Sequence, residues 1–282
     1  SLDAEAYFYV NPLSTDVIPE PGSESYRRQP WFDCACCPPN IARTIAALPG
    51  LLYGVEHDTI WIHHYAASEA AVKLPDGPTV ELIQRTRYPW SGRVVIDTLT
   101  PGTYSIKVRI PGWCREAPDR DRPTVTVNGG SCPGDVRPGE YVEVRRTWAA
   151  GDALCIQLPM PIRRIMSHPH ILENTGRVAL MRGPLLYCLE AVDHPTVADL
   201  RDVVLPDNAD LTSTFDPTLL GGVQVIEGEA LNAKLPTEWE EDAYSETRPM
   251  VRHTERVKIR AVPYFAWANR APGAMHVWLK RA

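Results

Sequence analysis

The sequence has no apolar run approaching the roughly eighteen residues that a membrane-spanning helix needs, which argues against a membrane partner. It has no block of lysine and arginine, and its formal net charge is −6. A nucleic-acid partner, which wants a basic face, is therefore not expected. The first residues, Ser1-Leu2-Asp3-Ala4-Glu5, show neither a methionine nor a signal-peptide pattern. No segment repeats at a fixed period. Phenylalanine is scarce, at four residues. Cysteines number seven, an odd count, and Cys114, Cys132, Cys155 and Cys188 are scattered singly. They make no obvious disulfide framework, so a reducing, cytoplasmic location is the expectation. A Cys114–Cys132 bridge is conceivable in a secreted protein, while Cys155 and Cys188 read as core thiols.

What is present is proline, 27 residues of it, among short runs of period two. That combination favours all-β structure with many loops, and 282 residues are enough for two domains. Strands are predicted over 59–65, 93–97, 104–110, 124–127, 141–144 and 153–158, with Asn128-Gly129 as a hairpin turn. In the run 104–110, Ile106, Val108 and Ile110 face one way and Ser105, Lys107 and Arg109 the other. Pro159-Met160-Pro161 is a boundary, because two prolines break a central strand. Beyond it, strands are predicted over 177–181, 185–189, 223–226, 257–262 and 276–279. Residues 195–220 are weakly patterned. The first fifty residues offer one extended run (Tyr7 to Leu13) and one helix, with Ile41, Ile45 and Leu48 on one face, Asn40 as N-cap and Pro49-Gly50 as stop. Such a segment cannot bury a core alone.

The chemistry concentrates in Trp31-Phe32-Asp33-Cys34-Ala35-Cys36-Cys37-Pro38-Pro39-Asn40, where three cysteines occupy four positions. Thiolates are soft metal ligands and strong nucleophiles, so the cluster points to zinc, to covalent catalysis, or to both. It runs into a helix start, and the positive end of a helix dipole favours the thiolate. Cys36 or Cys37 is therefore the favoured activated thiol. Zinc wants four ligands in a structural site, or three and an open position in a catalytic one. No second cysteine pair follows at finger spacing, so any further ligand in this chain comes from afar, with His57, His63 and His64 or a carboxylate as candidates. Glu69, Glu173 and Glu190 read as isolated carboxylates. Trp90, Trp113 and Trp148 make a possible sugar platform, with core packing the simpler use of each.

The run from Trp31 to Arg43 resembles the cysteine motif of glycoside hydrolase family 127, the β-L-arabinofuranosidase family. Tyr9-Val10-Asn11-Pro12-Leu13 before it resembles the same family, as do Arg182-Gly183-Pro184-Leu185-Leu186-Tyr187 and Pro263-Tyr264-Phe265-Ala266-Trp267-Ala268-Asn269-Arg270 after it. The resemblance implies a mainly β fold: two consecutive antiparallel β-sandwich domains, 53–160 and 161–282, preceded by a short remnant of an (α/α)6 barrel, 1–52. It implies a zinc cofactor held by a glutamate and three cysteines, two of them matching Cys36 and Cys37. It makes Cys36 the nucleophile of a retaining hydrolysis, with a separate glutamate as acid/base, a carbohydrate substrate, and dimerisation through the β domains as an option. Cys34 matches a family cysteine with no assigned role. The third zinc cysteine and both glutamates match nothing in this sequence, which predicts that the chain alone does not turn over glycosides and holds zinc weakly. Two other readings stay open: a non-catalytic carbohydrate-binding or packing module, and a local zinc or redox site of Cys34, Cys36 and Cys37.

Overall fold

A computed structural model describes residues 1–15, 28–33, 36–116, 122–132, 134–234 and 253–282. The chain divides into two compact units, Cys34–Pro161 on the one hand and Ser1–Asp33 with Ile162–Ala282 on the other.

The first of these is a two-sheet sandwich behind one helix. A six-stranded sheet runs in the order Ser68–Lys73, Thr79–Thr86, Arg93–Thr98, Asp152–Gln157, Thr124–Val127, Gly130–Ser131. A four-stranded sheet runs Tyr141–Trp148, Gly102–Arg109, Thr59–Ile62, Tyr53–Glu56. Pairing is antiparallel except where Thr59–Ile62 lies parallel to Gly102–Arg109. The alternation in 104–110 holds for Ile106, Val108 and Ile110, each wholly buried. Ser105 departs from it: it is buried too, with its hydroxyl donating to Glu143 Oε1 at 2.8 Å. Asn128 and Gly129 both take positive φ, 50° and 80°, as a two-residue primed turn requires. Leu82, Ile96, Leu154, Ile156 and Trp148 fill the core between the sheets, and Trp148 Nε1 donates to the Tyr104 carbonyl at 3.0 Å. Cys114 lies in that core and Cys132 packs against it, and neither is in a disulfide, so the conceivable bridge is not formed.

The second unit is built on a ten-stranded sheet. Arg177–Arg182 and Leu185–Glu190 form a tight hairpin across Gly183 and Pro184, with Gly183 at φ 55°. Val223–Lys234 and His253–Pro263 form a long antiparallel pair. The hairpin pairing closes the strand path on itself, so the apolar faces enclose a core of Val178, Leu189, Val203, Leu205, Ile226 and Ile259. The weakly patterned stretch holds two further strands, Val203–Leu205 and Leu211–Asp216.

The N-terminal segment is stitched into this second unit. Ser14–Thr15 pairs with Met275–His276. The Val277 amide donates to the Leu13 carbonyl at 3.0 Å, and Tyr264 Oη to the Pro12 carbonyl at 2.8 Å. Phe8 stacks on Trp267 with ring centroids 4.4 Å apart, and the Arg28 guanidinium lies over the other aromatic partner, Phe8, at 4.9 Å. Arg28 also donates to the carbonyls of Phe265 and Trp267. No helix among the described residues is long and apolar enough to cross a membrane.

Candidate active site

The cysteine run enters a single α-helix, α1 (Cys37–Leu52), with Cys36 at the N-cap position. The helix begins earlier than Asn40. Pro38 and Pro39 fall in its first turn, where backbone N–H groups have no intrahelical acceptor and proline costs nothing. Asn40 is therefore not the cap; its Nδ2 donates back to the Cys36 carbonyl at 2.9 Å, bracing the turn that carries both thiols. The helix also runs on through Pro49 to Leu52 instead of stopping there. Pro49 removes one hydrogen bond near the C-terminal end, too little to end a helix whose last turn is already formed. None of its residues is buried, and Ile41, Ile45, Leu48 and Leu51 form an exposed apolar stripe.

Cys36 is exposed, Cys37 partly so, and their sulfurs lie 3.5 Å apart. Two thiolates on one zinc ion, each at about 2.3 Å, stand about 3.8 Å apart when the site is tetrahedral. The two side chains thus converge as a pair of ligands must, although they are adjacent in sequence. Half of a four-ligand shell fits here. Among the described residues no group of three or more His, Cys, Asp and Glu side chains comes together to complete it. Cys34 lies outside the described residues.

Two of the three histidine candidates, His63 and His57, have other partners. The strand Thr59–Ile62 ends before His63 and His64 instead of running to residue 65. His63 Nδ1 meets Tyr141 Oη at 2.6 Å, and the ring sits so close over Gly54 that a Cβ there would lie 2.5 Å from Nε2. Burial pushes its imidazole pKa down. His57 Nδ1 faces Asp76 Oδ2 at 3.0 Å.

Glu190, read as an isolated carboxylate, has partners. It is buried, with one oxygen accepting from the Ala268 amide at 2.9 Å and the other paired with Arg270 at 2.6 Å. Arg270 also holds Asp193, donating to its Oδ1 at 2.7 Å. Next to them His194 is buried, Nδ1 donating to the Glu190 carbonyl at 2.7 Å and Nε2 accepting from the Arg260 amide at 3.1 Å. Burial pushes the His194 imidazole pKa down. The 263–270 landmark therefore ends in a structural ion cluster with Glu190 and Asp193, just past the 182–187 landmark, and the cluster fixes the loop on which the N-terminal segment docks. The signal for it was present in Arg270 and Glu190 but needed the strand pairing of Tyr187–Leu189 with Ala261–Pro263 to become visible. The cluster lies in the Ile162–Ala282 part of the chain and Cys36 in the other unit.

Three family models match in succession: the β-L-arabinofuranosidase family 127 catalytic domain over residues 1–50, its middle domain over 59–160, and the glycoside hydrolase family 127 C-terminal domain over 162–280. A non-reducing end β-L-arabinofuranosidase of Bifidobacterium longum is 35% identical, matching all of this chain and 43% of its own length. The crystal structure of a family 127 β-L-arabinofuranosidase from Geobacillus stearothermophilus superposes with a TM-score of 0.83 at 38% identity, over 99% of this chain and 43% of that one. A solved glycoside hydrolase gives a TM-score of 0.86 at 32% identity over all of this chain and 46% of its own. The chain thus spans less than half the length of these relatives.

Proposed function

Because the chain belongs to glycoside hydrolase family 127, we propose that it supplies the nucleophile and two metal ligands of a retaining glycosidase acting on β-L-arabinofuranosides. The observation that carries this is the convergent pair of sulfurs at the start of α1, 3.5 Å apart. The exposed apolar stripe of α1 supports reading that helix as one of a larger helical domain, since an amphipathic helix is stable when that stripe is covered.

Cys36 is the nucleophile. Its thiolate attacks the anomeric carbon, the C–O bond to the leaving group breaks, and the leaving oxygen takes a proton from a general acid. A thioglycosyl linkage then joins the sugar to Cys36 Sγ. Water, giving its proton to the same acid/base group, attacks the anomeric carbon and the C–S bond breaks, restoring the thiolate. Two inversions leave the configuration retained. Cys36 and Cys37 would hold zinc, which keeps coordinated thiols deprotonated. The Asn40–Cys36 carbonyl bond holds the turn, so that one sulfur faces the substrate while its neighbour stays with the metal. The acid/base carboxylate and the remaining ligands belong, in this proposal, to the portion of the relatives that the chain does not span.

The test is turnover of an aryl β-L-arabinofuranoside by an enzyme carrying this chain in the relatives' full-length context. Cys36→Ser should lower kcat by roughly 10³-fold or more, as removal of a covalent nucleophile does. Chelation should abolish activity and added zinc restore it. Full activity in Cys36→Ser would sink the assignment. The chain alone should show no turnover.

A further inference from the structure

We propose that the unit formed by Ser1–Asp33 and Ile162–Ala282 carries a groove that binds a neutral oligosaccharide of two or more units, lined by Glu173, Asn174, Arg177 and Trp278. Two concavities of about 350 and 230 Å³ open side by side there and share Asn174 and Arg177. The larger is within the ~300–1,000 Å³ of small-molecule sites. Together they make a two-lobed trough that meets at the shared Asn174 and Arg177.

The lining has the chemistry of hydroxyl recognition. Asn174 offers a donor and an acceptor on one amide, Glu173 an acceptor and Arg177 a fork of donors. Arg177 is positioned by a bond from Nη1 to the Trp278 carbonyl at 3.4 Å, and the chain turns under it through Gly176 at φ 68°. Trp278 brings the apolar surface that a sugar's C–H face packs on. Its Nε1–H is buried with no hydrogen-bond partner among the described residues.

Charge selects the ligand class. Two more arginines line the trough, but each is already neutralised: Arg201 Nε by Asp199 at 2.8 Å, and Arg281 by Asp207 at 2.6 and 2.7 Å. The uncompensated formal charges are Arg177 against Glu173, which balance. A trough built for phosphate or a uronate would leave its arginines free. The groove uses no residue assigned to the reaction above, and its binding can be read without turnover.

The experiment is a ¹H–¹⁵N titration of the 282-residue chain with L-arabinofuranosyl di- and trisaccharides, following the indole N–H of Trp278, identified by its loss in Trp278→Phe. That resonance should shift saturably, more tightly for the trisaccharide than for free L-arabinose. Asn174→Ala and the exposed Glu173→Gln should each weaken binding about tenfold. A digalacturonate control should bind no better. The proposal is overturned if the Trp278 resonance does not move at millimolar sugar, if both variants bind as the parent does, or if only the uronate binds. Failure of the groove would leave the Cys36 assay untouched, and loss of the Cys36 assignment would leave this binding in place.

Discussion

At the scale of single residues, what matters is which lone pair and which proton each side chain commits. Cys36 and Cys37 converge to 3.5 Å, whereas His63 and His57, two of the histidines that might have joined them, are spent on Tyr141 and Asp76. The thiol pair was legible in the sequence because three cysteines in four positions are dense enough to stand out. The roles of the histidines were not, because a hydroxyl 78 residues away is invisible to local pattern. His194 carries a prediction at this scale. It fits only as the neutral ring, since Nε2 faces the Arg260 amide and must accept, with Nδ1 on the Glu190 carbonyl and Glu190, Asp193 and Arg270 around it. Its native pKa lies below that of the unfolded chain, near 6.5. The unfolded state therefore binds the proton first, and stability is full above about pH 6.5 and falls as the pH drops toward the native pKa. Melting temperatures from pH 8 to 5 should fall more steeply for the parent than for His194→Gln, which cannot titrate. Equal slopes would remove His194 from the acid response.

Elements were legible where one local rule dominated. Asn128-Gly129 announced its hairpin, and the clean alternation of 104–110 announced its strand. Ser68–Lys73, by contrast, is short and rich in alanine and charge, and Thr79–Thr86 spends an inward position on Gln84, whose amide donates to Tyr53 Oη at 2.8 Å; neither was expected from sequence. The ends of α1 misled for a related reason: proline is read as a breaker, yet the first turn tolerates it and a late Pro49 costs only one bond. Close backbone approach was equally hidden. Gly92 is buried where a Cβ would lie 1.8 Å from the Leu158 carbonyl oxygen, and its own carbonyl accepts from the Leu158 amide at 2.9 Å. No side-chain shift relieves that clash. Gly92→Ala should cost about 3 kcal/mol or more and lower the melting temperature by roughly 10 °C. Gly50→Ala, in α1 with nothing within 4 Å of the new methyl, should cost nothing and stabilise by up to ~1 kcal/mol. Calorimetry of the two variants decides it; equal melting temperatures would refute the packing argument.

At the scale of the whole chain, the two-sheet sandwich and the closed ten-stranded sheet each enclose a core of their own. Each unit has its own apolar interior, and the N-terminal segment is locked to the second by a strand pair, an aromatic stack and Arg28. The family landmark at 263–270 serves that locking, and the one at 182–187 forms the hairpin that pairs with it, so their sequence signal was structural. The cysteine motif alone carried the signal for chemistry. In the proposal above it marks part of a site, in a chain that spans 43% of a β-L-arabinofuranosidase from Bifidobacterium longum. The most direct test of this account is peptide mass mapping of the full-length enzyme after quenching with a slow β-L-arabinofuranosyl substrate. The account predicts one pentosyl adduct, on the peptide containing Cys36 and localised to its sulfur, absent in Cys36→Ser and still present at Cys36 in Cys37→Ser wherever that variant retains turnover. An adduct on a carboxylate or on Cys37, or steady turnover with no trapped sugar on Cys36 under any quench, would contradict it.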